Sequence, residues 1–411
     1  MKIYQTLLFP LRGSGSGIYV DKLAQFLAKK GHQVNVLCSD HDPLEKVDDR
    51  EYPVETILFN NGENENYDLD FNFPTFTTHP LSRETTFGSL SSAQRQAYVR
   101  VFRERIQQGV ALLKPDVIHV HHGWVMAPAV AELGVPYVIS LHGTERLGFE
   151  KYAEYRKIVL PGLHGARLVL ALTERDREQA IQTYGLDPQK VVVVKSGIDT
   201  GMFRPLQVNK GRLLKGYGIH EAQRPVVFFG GKLTAIKGVD VLLEAARIYS
   251  RSAGRPITLI AGDGDARASL EKQAHALELE GVYFLGYQSQ RHMVKLYNVA
   301  DVVVLPSRED WFPLVAMEAL ACGTPVVASD VGGLRQLVNQ QTGRLVTPDD
   351  PSALAEEVVA LLQVGFKEKA RGSAARHIRQ NFSWENTVGS IEGVYGDLTG
   401  LRRPVRSARR T

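Results

Sequence analysis

The chain has 411 residues, 44% of them hydrophobic and 23% charged, with a formal net charge of +4. That length exceeds one ordinary core and predicts two domains of comparable size, and the composition excludes a disordered or collagen-like chain. Arg402, Arg403, Arg406, Arg409 and Arg410 form a tail without acids; without them the charge is about −1, so the body is not a nucleic-acid binder by charge. The tail reads as a solvated end; membrane contact there is possible but not indicated. Cys38 and Cys322 both lie in apolar settings, which predicts reduced thiols and a cytoplasmic protein. The opening MKIYQTLLFPLRGSG lacks a small-residue cleavage site and reads as a first strand. No apolar run approaches the ~18 residues of a membrane helix.

In chain order, a strand over 3–9 leads through PLRGSGSG into a helix with Tyr19, Leu23, Phe26 and Leu27 on one face, closed by Gly31 and followed by a strand over 34–38. This β-loop-α-β unit has Gly13, Gly15 and Gly17 around its first turn. Backbone amides of Gly15, Ser16 and Gly17 can approach a phosphate there, although the spacing is not G-x-G-x-x-G and the turn could simply connect elements. Residues 60–72 are acidic and polar and read as a surface loop. Beyond an aperiodic stretch, 91–113 predicts a long amphipathic helix capped by Ser91. Irregular insertions of this length more often serve function than not, so an acceptor pocket is expected here.

Strands over 117–120 and 137–141 end at His121-His122-Gly123 and His142-Gly143-Thr144, where parallel sheets present their binding crevice. Without a carboxylate or cysteine pattern, His119, His121, His122 and His142 read as hydrogen-bonding or core histidines rather than metal ligands. Short strands over 168–172 and 191–195 flank an exposed helix over 175–184, and the polar stretch 205–225 reads as an interdomain linker. A second α/β series follows. Its first strand, 226–229, opens into GGKLTAIKGVD with Lys232 and Lys237; the strand over 257–261 opens into GDGD with Gly262 and Gly264; that over 282–285 ends at Gly286, Tyr287 and Gln288.

The strand over 302–305 leads into PSREDWFPLVAMEALACGTPVVASD. Proline tolerates a first helical turn, so a helix is expected to start near Pro313 and to stop at Gly323. Leu314, Val315, Met317, Ala319, Leu320 and Ala321 make it apolar nearly all round, yet Glu318 sits in its middle. A carboxylate there needs a protein partner or a polar cavity. With Asp310 just before the helix, a phosphate followed by a hydroxylated ring suits the arrangement.

These segments together resemble the family 4 retaining glycosyltransferases. The likeness rests on the first glycine loop with GHQV after its helix, PDVIHVHH, VPYVISLHG, VKSGIDTGMF, GGKLTAIKG, AGDGD, FLG, NVADVVVLPS, MEALACGTPVVAS and FSWENTVGSIEGVY, in that order. It implies an α/β architecture of GT-B type: two facing Rossmann-like, doubly wound domains with an interdomain cleft. The expected boundaries are an acceptor-side domain over 1–203 joined by a C-terminal helix 384–400, a nucleotide-sugar domain over 204–383, and the basic tail 401–411.

The resemblance also implies roles. Lys232, which stands where the family has arginine, and Lys237 would bind the donor diphosphate. Asp310, with Glu309 beside it, falls opposite the family's first acid at the donor sugar, and Glu318 on its second, at the ribose. Pro313 replaces the family's glycine in a stretch, Glu309, Trp311, Phe312, Pro313, Leu314 and Val315, expected to line the donor, and His142 matches the strand-end histidine beside the sugar. The implied activity is transfer of a hexose, with retention, from a UDP- or GDP-linked sugar to an unidentified hydroxyl acceptor. Neither a metal nor another cofactor is implied. Two other readings follow from particular residues: a dinucleotide-dependent oxidoreductase from GSGSG and Asp40, and an idle nucleotide-sugar-binding protein from Asp310 and Pro313.

Overall fold

The computed structural model describes residues 1–43, 51–76, 82, 85–252, 254–310 and 313–401. Trp311, Phe312 and the arginines from 402 lie outside the described residues. The chain divides into two compact units, one of Met1–Ser196 together with the segment from Trp384, the other of Gly197–Ser383.

The first unit holds a seven-stranded sheet of β1 (Lys2–Leu7), β2 (Gln33–Asp40), β3 (Val54–Leu58), β4 (Val117–His121), β5 (Tyr137–Ser140), β6 (Leu168–Ala171) and β7 (Val191–Val193). Its order is β3-β2-β1-β4-β5-β6-β7. Every pairing is parallel. Helices on both faces explain why β4 and β5 are buried along their whole length, as parallel strands must be. Ser91 caps the helix Ser92–Leu113 by accepting from Gln94 N, and Gln94 returns the bond to Ser91 N, a reciprocal cap. The last helix, Trp384–Thr399, belongs to this unit. Trp384 packs against Tyr19 and Phe26, and Glu392 pairs with Lys30 and His32.

The second unit holds six parallel strands, β8 (Val226–Gly230), β9 (Ile257–Ala261), β10 (Val282–Gly286), β11 (Val302–Leu305), β12 (Val326–Ser329) and β13 (Gly343–Val346), ordered β10-β9-β8-β11-β12-β13. In both sheets the winding reverses beside the first strand, which places the loops following β1, β8 and β11 where such sheets bind ligands. The stretch 205–225 is not a linker. It carries a helix, Lys210–Lys215, and Leu214 and Ile219 are buried in the second unit's core. Among the described residues no helix is long and apolar enough to cross a membrane.

Candidate active site

In the second unit the loops at the carboxyl ends of β8, β9, β10 and β11 carry Lys232, Lys237, Gly262, Gly264, Tyr287 and Asp310, and Glu318 lies in the helix that follows the last of them. Two of these loops are in backbone contact. Gly262 has φ +138, and a Cβ there would lie 1.8 Å from Gly231 O; at Gly264 it would lie 2.2 Å from Leu233 O. Only glycine permits that approach. The glycines of AGDGD thus seat the Lys232 loop, through Leu233 N to Asp263 O (2.9 Å) and Ala266 N to Leu233 O (3.0 Å). That close packing accounts for both glycines without a ligand.

Lys237 ends a short 3-10 turn, Ala235–Lys237, and donates through Nζ to Asp310 Oδ2 at 2.8 Å. Ser307 Oγ also reaches Asp310 Oδ2, at 3.4 Å. Of the two neighbouring acids, Asp310 therefore faces Lys237 while Glu309 is exposed. The Asp310 backbone is pinned from the other side, since Gly333 N donates to Asp310 O (3.0 Å) and a Cβ on Gly332, at φ +47, would lie 2.1 Å from that oxygen. Lys232 is exposed.

Arg308, which sequence reading overlooked, joins the two loops. Its guanidinium donates to both Asp240 oxygens (2.7 and 3.0 Å) and to Ala235 O (2.5 Å), and lies 2.8 Å from Asp349 Oδ1. Its own N–H donates to Ile236 O at 2.8 Å. The flat guanidinium fork suits a carboxylate bidentately. The only hint in the sequence was an arginine inside an otherwise acidic loop.

The helix Leu314–Ala321 begins one residue later than expected. Pro313 has ψ 69 and stands as its N-cap, not in its first turn. Leu314 and Val315 are half-buried in the first turn, and Gly323, at φ +79, ends the helix. Of the two alternatives, a protein partner or a polar cavity, Glu318 has a partner: the Tyr297 hydroxyl donates to Glu318 Oε2 at 2.6 Å. Burial pushes the Glu318 carboxyl up to about 7, against the downward pull of that hydrogen bond. Gln288 is engaged at both ends of its amide, by Leu285 O (2.7 Å) and by the Tyr217 hydroxyl (2.7 Å), whereas Tyr287 is 83% exposed.

In the first unit Ser14 caps the helix Gly15–Lys29 by accepting from Gly17 N at 2.9 Å. The Gly17 amide is thereby occupied, and Gly15 and Ser16 form the open first turn. The histidines split into two kinds. His119 is a core residue, hydrogen-bonded to Tyr395 (2.6 Å) and Ser140 (2.7 Å), and burial lowers its pKa to about 3. His121 and His142 face each other, Nδ1 to Nε2 3.2 Å, with Gln5 behind His121 at 3.1 Å. Burial, then the neighbouring histidines, holds the His142 pKa well below its ordinary value, so at neutral pH it is an uncharged hydrogen-bonding group. Glu145, 1% exposed and also overlooked in the sequence, accepts from His142 N (2.7 Å) and pairs with His122 Nδ1 (3.1 Å). Its place just past LHGT, in the first turn of a helix, was the available signal. Among the described residues no group of three or more His, Cys, Asp or Glu is placed to hold a metal ion.

Two lysines on loops at the carboxyl ends of parallel strands and a carboxylate in the helix that follows, on a chain of two doubly wound units, define a class that comparison with known proteins identifies. Residues 218–378 match the model of glycosyl transferases group 1, and residues 13–201 that of glycosyltransferase family 4. The chain belongs to this glycosyltransferase family. It is 32% identical to the D-inositol 3-phosphate glycosyltransferase of Acidothermus cellulolyticus, over 75% of this chain and 73% of that protein. Sucrose-phosphate synthase from Thermosynechococcus elongatus superposes with a TM-score of 0.75 at 20% identity, over 98% of this chain and 100% of that one. HepE of Anabaena, in complex with UDP and glucose, gives 0.72 at 21% identity, over 97% and 100%. The architecture is thus GT-B. Membership also replaces the oxidoreductase reading, and Asp40 has a local role: its Oδ1 accepts from His41 N at 2.7 Å.

Proposed function

We propose that this glycosyltransferase moves a hexosyl group from a UDP- or GDP-linked sugar to a hydroxyl acceptor, with retention at the anomeric carbon and without a metal ion. The observation that carries this reading is the Lys237–Asp310 pair on facing loops, with Glu318 in the helix that follows, inside the segment matched to the group 1 model. Solved neighbours holding UDP and glucose, and relatives named for transfer to D-inositol 3-phosphate, support it.

In this reading the anomeric C–O bond breaks with its electron pair passing to the diphosphate. Lys237, Lys232 and loop amides stabilise that charge. The acceptor oxygen bonds the anomeric carbon on the same face, and its proton passes to the departing phosphate oxygen, so no protein nucleophile is needed. Asp310 and Glu318 do not act as a glycosidase pair. Glu318 binds the ribose and Asp310 lies at the sugar, while His142, neutral in the first unit, is a hydrogen-bonding group rather than a proton acceptor.

The test is mass spectrometry of products after incubation with a panel of nucleotide sugars, with inositol phosphates and a cell extract as acceptors, in the presence of chelator. The anomeric configuration of the product is read by NMR. Inversion, or loss of activity with chelator, overturns the corresponding part. Tight donor binding without transfer or hydrolysis favours an idle binding protein.

A further inference from the structure

Tyr297 lies in the helix Gln290–Val299 and is fully buried. Its ring is fixed by Phe228 and Phe203, with centroids 5.4 and 6.2 Å away. The two ends of Tyr297 both grip the helix Leu314–Ala321 or its exit. The hydroxyl donates to Glu318 Oε2 at 2.6 Å, and the backbone carbonyl accepts from Thr324 Oγ1, also at 2.6 Å. A phenol fixed by packing is a rigid donor, so it selects one rotation of the carboxylate it holds.

We propose that Tyr297 is a positioning residue for nucleotide binding: its phenol holds one oxygen of Glu318 and thereby presents the carboxylate in a single orientation to a vicinal diol. This deepens the ribose assignment of Glu318 and rests on it. A carboxylate has about four lone-pair sites, so the one taken by Tyr297 leaves enough to accept from both hydroxyls of a ribose. Anionic Glu318 accepts both; the protonated acid accepts less well, so the same phenol, by favouring the anion, extends binding toward lower pH.

Burial is the largest influence on the Glu318 carboxyl, and the Tyr297 hydrogen bond is what opposes it; the neighbouring charged groups are engaged elsewhere. Cys322, on the Glu318 segment itself, has its thiol pushed up to about 12 by burial and then by Glu318. From the helix Phe366–Asn381, Lys367 donates to Asn298 O and Ala300 O, and Arg371 to Leu206 O. Arg335, from the helix Leu334–Leu337, pairs with Asp330. Asp310 is paired with Lys237.

Tyr297→Phe keeps the ring and removes only the hydroxyl. The experiment compares wild type, Tyr297→Phe and Glu318→Gln. Carbon-13 NMR follows the Glu318 carboxyl titration in the ligand-free proteins, assigned by its loss in Glu318→Gln. Calorimetry measures UDP, GDP and their 2′-deoxy forms from pH 5.5 to 8.5. The expected result is a titration midpoint raised by about one pH unit in Tyr297→Phe. UDP or GDP affinity should be about tenfold weaker near pH 7, with less discrimination against the 2′-deoxy form. An unmoved midpoint and unchanged affinity in Tyr297→Phe, with weakened binding in Glu318→Gln, overturns the proposal and leaves the ribose assignment standing. Unchanged binding in Glu318→Gln overturns both. A moved midpoint with unchanged nucleotide affinity in Tyr297→Phe also overturns the proposal, because the orientation would then not matter to the ligand.

Discussion

Lys237 Nζ lies 2.8 Å from Asp310 Oδ2, with the lysine side chain 31% exposed and the aspartate 9%. The carboxylate thus engages the cation proposed to meet the diphosphate. If the two anions share Lys237 in turn, Asp310→Asn should tighten UDP or GDP binding a few-fold, about 1 kcal/mol for a part-buried pair whose lysine is still screened by solvent. The same change should slow transfer. Calorimetry beside steady-state rates checks both, and weaker nucleotide binding in Asp310→Asn would show that the pair builds the site instead of competing for it. Lys237→Ala should lower kcat by about a hundredfold, the usual effect of deleting one preorganised charge stabiliser. Wild-type turnover in that variant removes Lys237 from the mechanism.

Glu318 makes stability pH-dependent in a definite direction. Burial raises its folded pKa to about 7, above the carboxyl's ordinary value of 4.5. Below the unfolded pKa both states carry the proton and nothing is lost. As pH rises toward 7 the unfolded chain releases the proton while the fold retains it, so stability falls; above 7 the cost of a charged, buried carboxylate is fully present. Glu318→Gln, free of this cost, should match wild type near pH 5 and exceed it above pH 7. Part of the side chain meets solvent, so the gain should be about 2–4 °C in Tm. Thermal melts across pH check it, and a gap that widens toward acid pH would contradict the assignment. Nucleotide affinity should move the other way, falling about tenfold or more in the same variant.

The parts of this molecule that the sequence disclosed are those encoded locally. Val226–Gly230 and Val302–Leu305 are continuous apolar runs, and Ser91 with Gln94 is a cap written in adjacent residues. Gly323 stops its helix because the required left-handed turn favours glycine. β13 stayed hidden because it is only four residues, Gly343–Val346, beginning with glycine and carrying Arg344. The helix Ala153–Gly165 was masked by Pro161 in its interior. The pairings at the site were beyond reach for another reason. Glu318 and Tyr297 come from different helices, and Lys237 and Asp310 from different loops, so the fold alone joins them. Sequence reading asked for a partner or a polar cavity at Glu318, and only the fold shows that Tyr297 is the partner.

Buried Glu145 offers a test in the first unit. It accepts from His142 N and holds His122, which sits at φ 69. Glu145→Ala leaves a buried amide unsatisfied and lets the His142 turn relax, at a cost of about 2–3 kcal/mol. Glu145→Gln retains an oxygen for the amide and should recover more than half of that loss. Denaturant unfolding measures both, and equal destabilisation by the two substitutions would mean that charge, not the hydrogen bond to His142 N, is what the site requires.

Arg308 provides the last prediction, and it separates geometry from charge. It lies on the loop that carries Asp310, and its partners Asp240 and Ala235 belong to the segment that carries Lys237. Removing the guanidinium loosens the Lys237 turn against the Asp310 loop, leaving the Arg308 N to Ile236 O bond and the Lys237–Asp310 pair to join them. Arg308→Ala should therefore lower kcat by about tenfold, since small misplacement of a charge stabiliser is costly. Global stability should change by only about 1 kcal/mol, because Arg308 and its carboxylate partners are substantially exposed. Arg308→Lys keeps the charge but cannot form the fork to both Asp240 oxygens, so it should remain closer to Arg308→Ala than to wild type. Full activity in Arg308→Lys would mean that the loop needs a cation near Asp240 and not the fork. Full activity in Arg308→Ala would mean that Asp310 and the main-chain bond to Ile236 O hold Lys237 without the guanidinium.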